Sequence, residues 1–384
     1  MTPPKPAVRI AFVMPGIGVT TRGAEVFVLD LARALGERGG FAIELFSRGP
    51  APPPLSGQRV RALPRDNAAV NAVYGATRLG RKIFDTLFLD PLNLEWDTAA
   101  LASAPALWRG RYDAIVMEGG LVGGWLCRLL RLAHGTPWID IAHGNSPKWE
   151  GAFARQHPDR VVVFTAAAAA MVAERAPRAA IEIIPHGVDL ERFRPEVKAA
   201  DLTGLGLAKP IILAAGSVDP HKRFDLAVEA VARLESGSLV VLGDGESAAA
   251  LDALAAERLG PGRYLRKRVP RDAMAQWYAA ADLFTLPSRT ESFGLVYLEA
   301  LACGRAAVAT DDAVRREVLG DAGLCCDVED PLDYARALAE ALARTWGDKP
   351  RRQAERFPFT RTVDAYAALF TDLSARARRR GARA

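Results

Sequence analysis

The sequence contains few of the features that mark secreted or membrane-spanning proteins. Only four of its 384 residues are cysteines, and their spacing forms neither a disulfide framework nor a zinc site. The longest apolar stretch, residues 161–173, is shorter than the ~20 residues that a membrane-spanning helix needs. No apolar core of signal-peptide type lies near the N-terminus. These absences predict reduced thiols and a cytoplasmic location.

The net charge of +5 is concentrated at one end of the chain. The last ten residues, 375–384, contain five arginines and no acidic residue, which leaves the rest of the chain neutral. A neutral body argues against a nucleic-acid-binding protein, and we expect no nucleic-acid partner. For the arginine-rich tail two hypotheses stay open: a solvated end, or peripheral contact with anionic lipid at the inner face of a membrane.

Short apolar segments alternate with segments of helical periodicity along the chain. Half of the residues are hydrophobic and a quarter are charged, as in globular proteins. The N-terminal half begins with a strand at 8–14, a loop containing Gly16 and Gly18, a helix at 24–38 and a strand at 41–46. Further strands are predicted at 113–117, 138–142, 161–164 and 181–184. Residues 50–105 give mixed helical and loop signals.

The charged segment 185–210, which contains prolines and glycines, interrupts this alternation, and we interpret it as the connection between two domains. The pattern then resumes, with strands predicted at 211–215, 239–242, 282–286 and 306–309 and helices at 224–234, 247–258 and 293–303. Such alternation predicts an α/β fold of two Rossmann-like, doubly wound parallel-sheet domains that face a cleft. Ligands of such sheets bind at the carboxyl ends of the strands.

The most informative segment is residues 286–310, where a strand, a polar turn and a predicted helix follow one another. The first turn of a helix has unsatisfied backbone N–H groups at the positive end of the helix dipole. Gly294 would let a ligand approach the backbone closely. The segment therefore predicts an anion site that suits a diphosphate.

Two glutamates, Glu291 and Glu299, lie eight residues apart in this segment. On one continuous helix their side chains would point roughly 80° apart, broadly to one side. One carboxylate could then lie at the reacting end of a ligand while the other reaches hydroxyl groups farther along it. Solvated surface glutamates are the alternative, but the apolar neighbours of Glu299 argue against it.

Basic residues follow another predicted strand. Gly216 begins a loop that ends with Lys222 and Arg223 just before a helix, and cations there could neutralise a leaving phosphate. Solvated basic residues on an ordinary loop are the alternative. A tight turn at Gly243 follows the next strand and is weak evidence by itself.

These segments together resemble the nucleotide-sugar-dependent glycosyltransferases of the two-Rossmann-domain GT-B architecture, most closely the retaining family 4, the glycosyl transferases group 1. The specific matches are IPHGVDLERF (184–193), GSVDPHKRFDLAVEA (from 216), GDGE (243–246) and RVPRDAMAQWYAAADLFTLPSRTESFGLVYLEALACG (from 268). The glycine loop at 16–23 and HGN at 143–145 match weakly. In this family a C-terminal helix returns to the first domain. The resemblance thus implies an acceptor domain at 1–190, joined by 357–384, and a donor domain at 191–356.

The resemblance also implies roles for individual residues. Glu299 would bind the donor ribose, Glu291 would lie beside the transferred sugar, and Lys222 would pair with the diphosphate. The remaining donor contacts would come from Gly216, Ser217, Arg223, Gly243, Arg268, Val269, Ser292, Phe293, Gly294 and Leu295; of these, the last four would hold the diphosphate, and Arg268 and Val269 would border the base. Gly16 and Gly18 would line the opposite side of the cleft, and His143 would contact the sugar or the reacting phosphate.

The sequence departs from the family pattern at several positions. Ser217 stands where the family usually has an arginine, and His221 and Arg223 are the candidate replacements for that cation. Ser292 replaces a common glycine, and residues 311–314 replace a glycine-rich turn. These departures put particular donor contacts in question.

The resemblance implies transfer of a sugar from a nucleotide-diphosphate sugar to an acceptor hydroxyl with retention of configuration. No cofactor other than the donor substrate is expected, and no metal, because Asp311 and Asp312 lack partner ligands. The acceptor would be a glycan, a lipid-linked molecule or a small molecule. A sugar-nucleotide epimerase of the same fold and a non-catalytic nucleotide-sugar-binding protein remain alternatives. An NAD-dependent dehydrogenase is disfavoured because PGIGVTTRG (15–23) departs from GxGxxG.

Overall fold

The computed structural model describes residues 7–20, 22–144 and 146–381. The chain divides into two units, each with its own parallel sheet. Unit 1 consists of Met1–Ile184 and Val363–Ala384, and unit 2 consists of Pro185–Thr362. The predicted α/β class with two parallel-sheet domains is confirmed.

Unit 1 is built on a seven-stranded parallel sheet with the order β3-β2-β1-β4-β5-β6-β7. Its inner strands β1, β4 and β5 are mostly apolar and, after the first two residues of β1, buried, as expected for a parallel sheet that helices cover on both faces; Arg9 and Asp140 are their charged residues. The strands are β1 Val8–Val13, β2 Phe41–Ser47, β3 Ser56–Arg59, β4 Ala114–Met117, β5 Trp138–Ile141, β6 Arg160–Val163 and β7 Ile181–Ile183.

Some helices of unit 1 begin or end at recognisable capping residues. Thr165 and Asp90 accept hydrogen bonds from backbone N–H groups in the first turns of α7 and α4, and Gly135 ends α5 in the left-handed conformation. The helices are α1 Gly23–Arg38, α2 Ala68–Gly75, α3 Arg78–Thr86, α4 Pro91–Gly110, α5 Leu121–His134, α6 Pro147–Ala154 and α7 Ala166–Arg175.

Residues 50–105, which the sequence leaves ambiguous, form β3 and most of α2 to α4. Strand β3 has the sequence SGQR and is exposed at all four residues, because it lies at the edge of the sheet. Helix α4 contains Pro105 in its interior. A polar edge strand and a proline within a helix both hide the usual periodic signal.

Unit 2 has a six-stranded parallel sheet with the order β10-β9-β8-β11-β12-β13. Its strands are β8 Ile211–Ala215, β9 Ser238–Leu242, β10 Tyr264–Lys267, β11 Leu283–Leu286, β12 Ala307–Thr310 and β13 Gly323–Cys326. Its helices are α8 Phe224–Ala232, α9 Ala248–Arg258, α10 Met274–Ala280, α11 Leu295–Ala302, α12 Ala313–Leu319, α13 Pro331–Ala343 and α14 Lys349–Ala354, with a 3₁₀ turn at Arg271–Ala273.

The last helix, α15 Phe359–Gly381, begins in unit 2 and belongs to unit 1 from Val363 onward. Within unit 1 its buried Tyr366 ring lies 5.9 Å from that of Phe27, and Phe370 lies 6.0 Å from Phe12. These aromatic contacts anchor the helix to the unit. The last three residues of the arginine-rich tail, 382–384, lie outside the described residues.

The register of unit 2 brings successive loops close together at one edge of the sheet. Ala215 at the end of β8 is paired with Leu242 at the end of β9, so Gly216 and Gly243 follow side by side. A Cβ atom on Gly243 would lie 1.9 Å from the carbonyl oxygen of Gly216. Only glycine at position 243 permits this close approach of the two loops.

None of the helices in the described part of the chain combines the length and the apolar content that a bilayer crossing needs. All four cysteines are free thiols.

Candidate functional site

The carboxyl edge of the unit 2 sheet carries most of the predicted donor-site residues. Three loops meet there: residues 216–223 between β8 and α8, residues 243–247 between β9 and α9, and residues 287–294 between β11 and α11. The backbone N–H of Arg289 donates to the carbonyl oxygen of His221, which joins the first loop to the third.

Lys222 and Glu291, which lie on different loops, form an ion pair. The Nζ atom of Lys222 lies 2.6 Å from Oε1 of Glu291, and the two side chains are only 24% and 11% exposed. A charge-assisted hydrogen bond in such a shielded position is stronger than a surface pair. The structure thus brings together Lys222 and Glu291, which the sequence analysis expects at the diphosphate and at the transferred sugar.

A network within the first loop presents Lys222. Oδ1 of Asp219 accepts hydrogen bonds from the backbone N–H groups of His221 and Lys222, and Ser217 Oγ donates to Oδ2 of Asp219 at 2.5 Å. Ser217 therefore holds the carboxylate that shapes the loop. Its side chain supplies no positive charge in place of the family's arginine.

Arg223 and His221, the two candidate replacements for that arginine, lie in different environments. Arg223 is buried, and its guanidinium donates to the carbonyl oxygen of Pro287 at 2.9 Å and to Glu329 at 2.6 Å. Its backbone is in the left-handed region, with φ 52°. His221 is exposed. Arg223 thus links three segments of unit 2, while the imidazole of His221 faces solvent.

Helix α11 begins at Leu295, two residues later than predicted, because Gly294 adopts a left-handed conformation with φ 91°. A Cβ atom on Gly294 would also lie 2.5 Å from the ring of Tyr297. Among the hydrogen bonds of the described residues, none has the N–H of Phe293, Gly294 or Leu295 as its donor. These N–H groups form the amide-lined helix start that the sequence predicts.

The later start of α11 overturns one geometric expectation. Glu291 lies outside the helix, so the predicted angle of 80° between Glu291 and Glu299 does not apply. Ser292 is half-buried, and Phe293 is buried with its ring 5.5 Å from that of His186. Phe293 therefore anchors the loop in the core of unit 2.

Glu299 lies inside α11 and is half-buried. Its Oε2 atom accepts a hydrogen bond of 2.8 Å from the hydroxyl of Tyr278, which is fully buried. Burial and the neighbouring Glu299 carboxylate raise the pKa of Tyr278 well above its ordinary value, so the phenol keeps its proton and donates. Glu299 is thus a supported carboxylate and not a solvated surface acid.

Arg268 and Val269 follow β10 at the same edge of the sheet. Arg268 is 78% exposed, with Nη1 3.8 Å from Oδ2 of Asp244, and Val269 is half-buried. The preceding Lys267 places Nζ 5.7 Å from the centre of the Trp277 ring. Lys267, Arg268 and Trp277 therefore form a basic and partly aromatic surface beside the loop that contains Gly243.

Arg315, which the sequence analysis missed, holds the third loop (residues 287–294) in place by hydrogen bonds. It is fully buried, and its Nη2 donates to the carbonyl oxygen and the hydroxyl of Ser288 at 2.6 and 2.8 Å, while Nη1 pairs with Asp312. Asp312 also caps α12, and Asp311 pairs with Arg316. No sequence signal marks Arg315, because an arginine in a short helix is normally solvated.

In unit 1, Gly16 and Gly18 lie in the loop after β1. Gly18 has φ 77°, and a Cβ atom there would lie 2.8 Å from the Cα of Gly49. A Cβ atom on Gly16 would lie 2.1 Å from a carboxylate oxygen of the buried Glu25. Both glycines therefore permit close packing of this loop, and the room beside Gly16 is filled by Glu25.

His143 lies in unit 1 after β5, within a buried acidic group. Its Nε2 atom lies 3.1 Å from Oε2 of Glu118, and its ring packs 5.7 Å from Phe27. Asp140 and Glu150 are also buried, and Glu150 accepts from the backbone N–H of Gly144. Asn145, the third residue of the HGN motif, lies outside the described residues.

The charges of this group influence one another. Burial by itself lowers the pKa of His143, but the charge and hydrogen bond of Glu118, together with the charges of Glu150 and Glu25, outweigh that effect, and the net shift of the pKa is upward. Burial raises the pKa of Glu150 to about 7 and that of Asp140 well above its ordinary value. The group can therefore hold or release protons close to neutral pH.

No cluster of three or more histidine, cysteine, aspartate or glutamate side chains in the described ranges is arranged to hold a metal ion. Metal independence stays a prediction.

Comparisons with known proteins give this architecture its family. The model of the glycosyl transferases group 1 matches residues 209–344, and that of Glycosyltransferase Family 4 matches residues 21–192. D-inositol 3-phosphate glycosyltransferase of Geodermatophilus obscurus is 32% identical, covering 93% of this chain and 86% of the relative. The protein of the same name from Xylanimonas cellulosilytica is 33% identical, with coverages of 95% and 94%.

Among solved structures, sucrose-phosphate synthase from Thermosynechococcus elongatus is similar, with a TM-score of 0.79, 22% identity and coverage of 96% of this chain and 99% of that one. The glycosyltransferase WaaG gives a TM-score of 0.69 at 17% identity, with coverages of 94% and 99%. Two parallel-sheet units and these neighbours define a protein of the GT-B fold. The chain belongs to glycosyltransferase family 4, the glycosyl transferases group 1, and is a glycosyltransferase.

The raised pKa of Glu150 predicts a pH-dependent stability. A carboxyl group whose folded-state pKa lies near 7 instead of near 4.5 stabilises the fold fully at low pH, and this contribution is lost as the pH rises through 7. Glu150→Gln keeps the neutral form at every pH. Its thermal midpoint should match that of the unsubstituted protein at pH 5 and exceed it by a few degrees at pH 8.

Glu174→Gln on α7 of the same unit is the control for this measurement, because Glu174 is 73% exposed. It should follow the unsubstituted protein at both pH values. Equal midpoints of the Glu150→Gln variant and the unsubstituted protein at pH 8 would contradict the predicted protonation.

Proposed function

We propose that the protein transfers a sugar from a nucleotide-diphosphate sugar to an acceptor hydroxyl, with retention of anomeric configuration and without a metal ion. The observation that carries the proposal is the Lys222–Glu291 ion pair, on loops at the carboxyl edge of the unit 2 sheet where the N–H groups at the start of α11 also lie. A cation and N–H groups without an acceptor suit the diphosphate of a sugar nucleotide, and a carboxylate beside them suits the hydroxyl groups of its sugar.

The first chemical task is to stabilise the leaving nucleoside diphosphate. As the glycosidic C–O bond breaks, its electron pair and negative charge pass to the phosphate oxygen. In the proposal, the N–H groups of Phe293, Gly294 and Leu295 and the ammonium of Lys222 stabilise this charge. Family membership supports the assignment, as does the observation that, within the described residues, no hydrogen bond is donated by these three N–H groups.

Glu291 orients Lys222 and the transferred sugar in this proposal. Its carboxylate is paired with Lys222 and only 11% exposed, which favours hydrogen bonding to sugar hydroxyls over attack on the anomeric carbon. A front-face reaction then accounts for retention: the acceptor oxygen forms the new bond to the anomeric carbon, and its proton passes to the leaving phosphate oxygen.

Glu299 binds the ribose hydroxyls of the donor in this proposal, and Arg268 and Val269 border its base. The hydrogen bond from Tyr278 orients the Glu299 carboxylate. Since a carboxylate has about four acceptor sites, that bond is compatible with additional bonds to a diol. We assign Ser217, Gly216, Gly243 and Arg223 to the support of the loops that surround the donor.

Unit 1 supplies the acceptor side, with Gly16, Gly18 and His143 as its candidate contacts. The curated relatives are named for D-inositol 3-phosphate, so a phosphorylated polyol is the first acceptor to test. A glycan or a lipid-linked acceptor suits the same chemistry. We also propose that the protein acts in the cytoplasm, in keeping with its four free thiols.

A donor and acceptor screen tests the proposal directly. The full chain is incubated with UDP-, GDP- or ADP-sugars and D-inositol 3-phosphate, in parallel samples with and without EDTA. One donor should raise the thermal midpoint, since a ligand that binds only the folded state stabilises it. The same donor should give a product enlarged by one sugar in mass spectrometry, and NMR should show the donor's anomeric configuration.

Other outcomes of the screen favour other functions. Interconversion of the donor sugar without transfer to any acceptor would favour the epimerase. An intact donor that still stabilises the protein would favour the non-catalytic binding protein. Transfer that stops with EDTA would contradict metal independence.

Glu299→Ala should weaken donor binding by about 10- to 100-fold, since it removes hydrogen bonds that involve a charged group. Calorimetric titration of the donor measures the change. Glu257→Ala on α9, where the side chain is 68% exposed, is the control and should bind normally. Unchanged donor affinity in a folded Glu299→Ala protein would refute the ribose contact.

Lys222→Ala should lower kcat by about 10²- to 10³-fold, the usual effect of removing one group that stabilises transition-state charge. The variant should stay folded by circular dichroism, with a thermal midpoint lower by no more than a few degrees, because Glu291 is 11% exposed and loses its ion-pair partner. Lys209→Ala removes the Lys209–Asp282 ion pair of 3.0 Å from the same unit and should leave kcat unchanged. A similar loss of kcat in both variants, or near-normal turnover by Lys222→Ala, would reject the assignment.

A further inference from the structure

Four aromatic side chains of unit 1 lie together beside the loop that follows β4. The ring centres of Phe88 and Trp149 are 5.3 Å apart, and that of Phe153 is 6.4 and 6.5 Å from them. Trp96 joins them at Gly119, where a Cβ atom would lie 3.5 Å from the Trp96 ring and 3.6 Å from the Phe153 ring. We call Phe88, Trp96, Trp149 and Phe153 the aromatic cluster.

The aromatic cluster is only partly enclosed by the protein. Phe88, Trp96 and Trp149 are half-buried, and Phe153 is buried. Three half-buried rings side by side offer a large area of aromatic carbon to a ligand. Ligand sites commonly combine such aromatic walls with a few polar side chains that fix the orientation of the ligand.

Phe88 holds its ring in the cluster although its backbone is strained. Its φ of 58° lies in the left-handed region, which bulky residues rarely adopt. Phe88 follows α3, and the N–H of Leu89 donates to the carbonyl oxygen of Phe84, as at helix ends where glycine is the usual residue. A contact of the ring must therefore offset this strain. Strained residues of this kind concentrate at ligand sites.

Polar side chains adjoin the aromatic cluster at the carboxyl edge of the unit 1 sheet. Glu118 directly precedes Gly119 in the chain and pairs with His143, with Nε2 and Oε2 3.1 Å apart. Glu150 of α6 accepts a hydrogen bond from the backbone N–H of Gly144 in the loop after β5. Aromatic carbon and hydrogen-bonding groups are thus neighbours at this edge.

The charges on the polar side of the site are mainly negative. The carboxylates of Glu118, Glu150 and Glu25 each raise the pKa of His143, which shows that all three act on its ring. A phosphate bound beside His143 would be repelled by these carboxylates. The hydroxyl groups of a neutral ligand can instead donate hydrogen bonds to them.

One cation, Lys148, lies against the aromatic cluster. Its Nζ atom is 5.0 Å from the centre of the Phe88 ring and 5.4 Å from that of the Trp149 ring. It also donates to the carbonyl oxygen of Asp85. An ammonium has three N–H donors, so the bond to Asp85 is compatible with further bonds to hydroxyl or ring oxygens of a ligand.

We propose that the aromatic cluster and the carboxylates beside it bind a sugar ring of the acceptor. The C–H bonds of a pyranose form apolar faces that pack on aromatic rings, while its hydroxyl groups donate to carboxylates such as that of Glu118. This inference rests on the proposed glycosyl transfer, because it identifies the bound sugar as the acceptor. The sugar is either free or the terminal unit of a lipid-linked glycan.

Saturation-transfer NMR on the full chain without donor tests the proposal. The probes are methyl glycosides of glucose, galactose, mannose and N-acetylglucosamine, with D-inositol 3-phosphate as the anionic comparison. At least one glycoside should receive magnetisation at its ring C–H protons. Trp149→Leu should weaken that binding by about 3- to 10-fold, because the sugar loses an aromatic contact. Trp125→Leu on α5, where the side chain is 63% exposed, is the matched control and should bind normally.

Phe88→Gly separates a role in binding from a role in packing. Glycine removes the backbone strain at this position, so the thermal midpoint should fall by no more than a few degrees although the ring is lost. Glycoside binding should weaken as it does in Trp149→Leu. A large fall in the midpoint together with unchanged glycoside affinity would overturn the proposal.

The octyl glycoside of the sugar that binds distinguishes the two sources of the acceptor. Tighter binding than that of the methyl glycoside would indicate a lipid-linked acceptor, and equal binding a free one. Trp149→Leu should weaken both complexes, and a proposal of sugar binding fails if it weakens neither.

The outcomes also separate this inference from the proposed function. Transfer to D-inositol 3-phosphate that Trp149→Leu leaves unchanged, with no binding of any glycoside, would overturn the sugar site and leave the glycosyl transfer intact. Glycoside binding that depends on Trp149, in a protein that transfers sugar from none of the donors, would support the sugar site and contradict the proposed function.

Discussion

The ion pair between Lys222 and Glu291 depends on the parallel arrangement of the strands in unit 2. The two residues are 69 positions apart in the chain, and they meet because β8 and β11 are neighbours whose carboxyl ends reach one edge of the sheet. Neither residue belongs to a helix or a strand. Fixing two charged loop residues within hydrogen-bond distance therefore requires the loops themselves to be held, and much of the polar structure around the site does that. Asp219 and Ser217 shape one loop, Arg315 supports the other, and Arg223 joins both to the segment that follows β13.

Contacts between segments that are distant in the chain set the limit of what could be predicted from the sequence. Apolar segments predicted ten of the thirteen strands in the described part of the chain to within about a residue, because buried parallel strands are continuous apolar runs. Strands β3, β10 and β13 were not predicted, since they are exposed or mostly half-buried and lack such a run. The predicted start of α11 was wrong by two residues, because periodicity does not reveal that Gly294 adopts a left-handed backbone conformation and so precedes the helix. The structural roles of Arg315 and Arg223, which hold loops of unit 2 together, could not be predicted from the sequence. A buried arginine differs from a solvated one only in its tertiary partners. The ambiguity of residues 50–105 has a similar origin: an exposed edge strand and a helix with an internal proline bury too little in a regular pattern.

Ser217 shows how one substitution in a family motif can be read from its contacts. An arginine at this position would bring a second cation to the loop of Lys222. The serine instead donates to Asp219, and the same carboxylate accepts from the backbone at Lys222. The loop conformation is thereby stabilised without the arginine, but the positive charge near the helix start falls by one. In the proposed reaction, Lys222 then carries a larger share of the charge stabilisation, so its pairing with Glu291 would have a larger influence on how tightly the donor diphosphate is bound.

In unit 1 the Glu118–His143 pair has the same structural origin. Glu118 directly follows β4, His143 follows β5, and these two strands are neighbours in the parallel sheet. Their carboxyl ends therefore reach one edge of the sheet, where Nε2 of His143 lies 3.1 Å from Oε2 of Glu118. In both units, charged residues that are distant in the chain meet because each follows one of two neighbouring parallel strands.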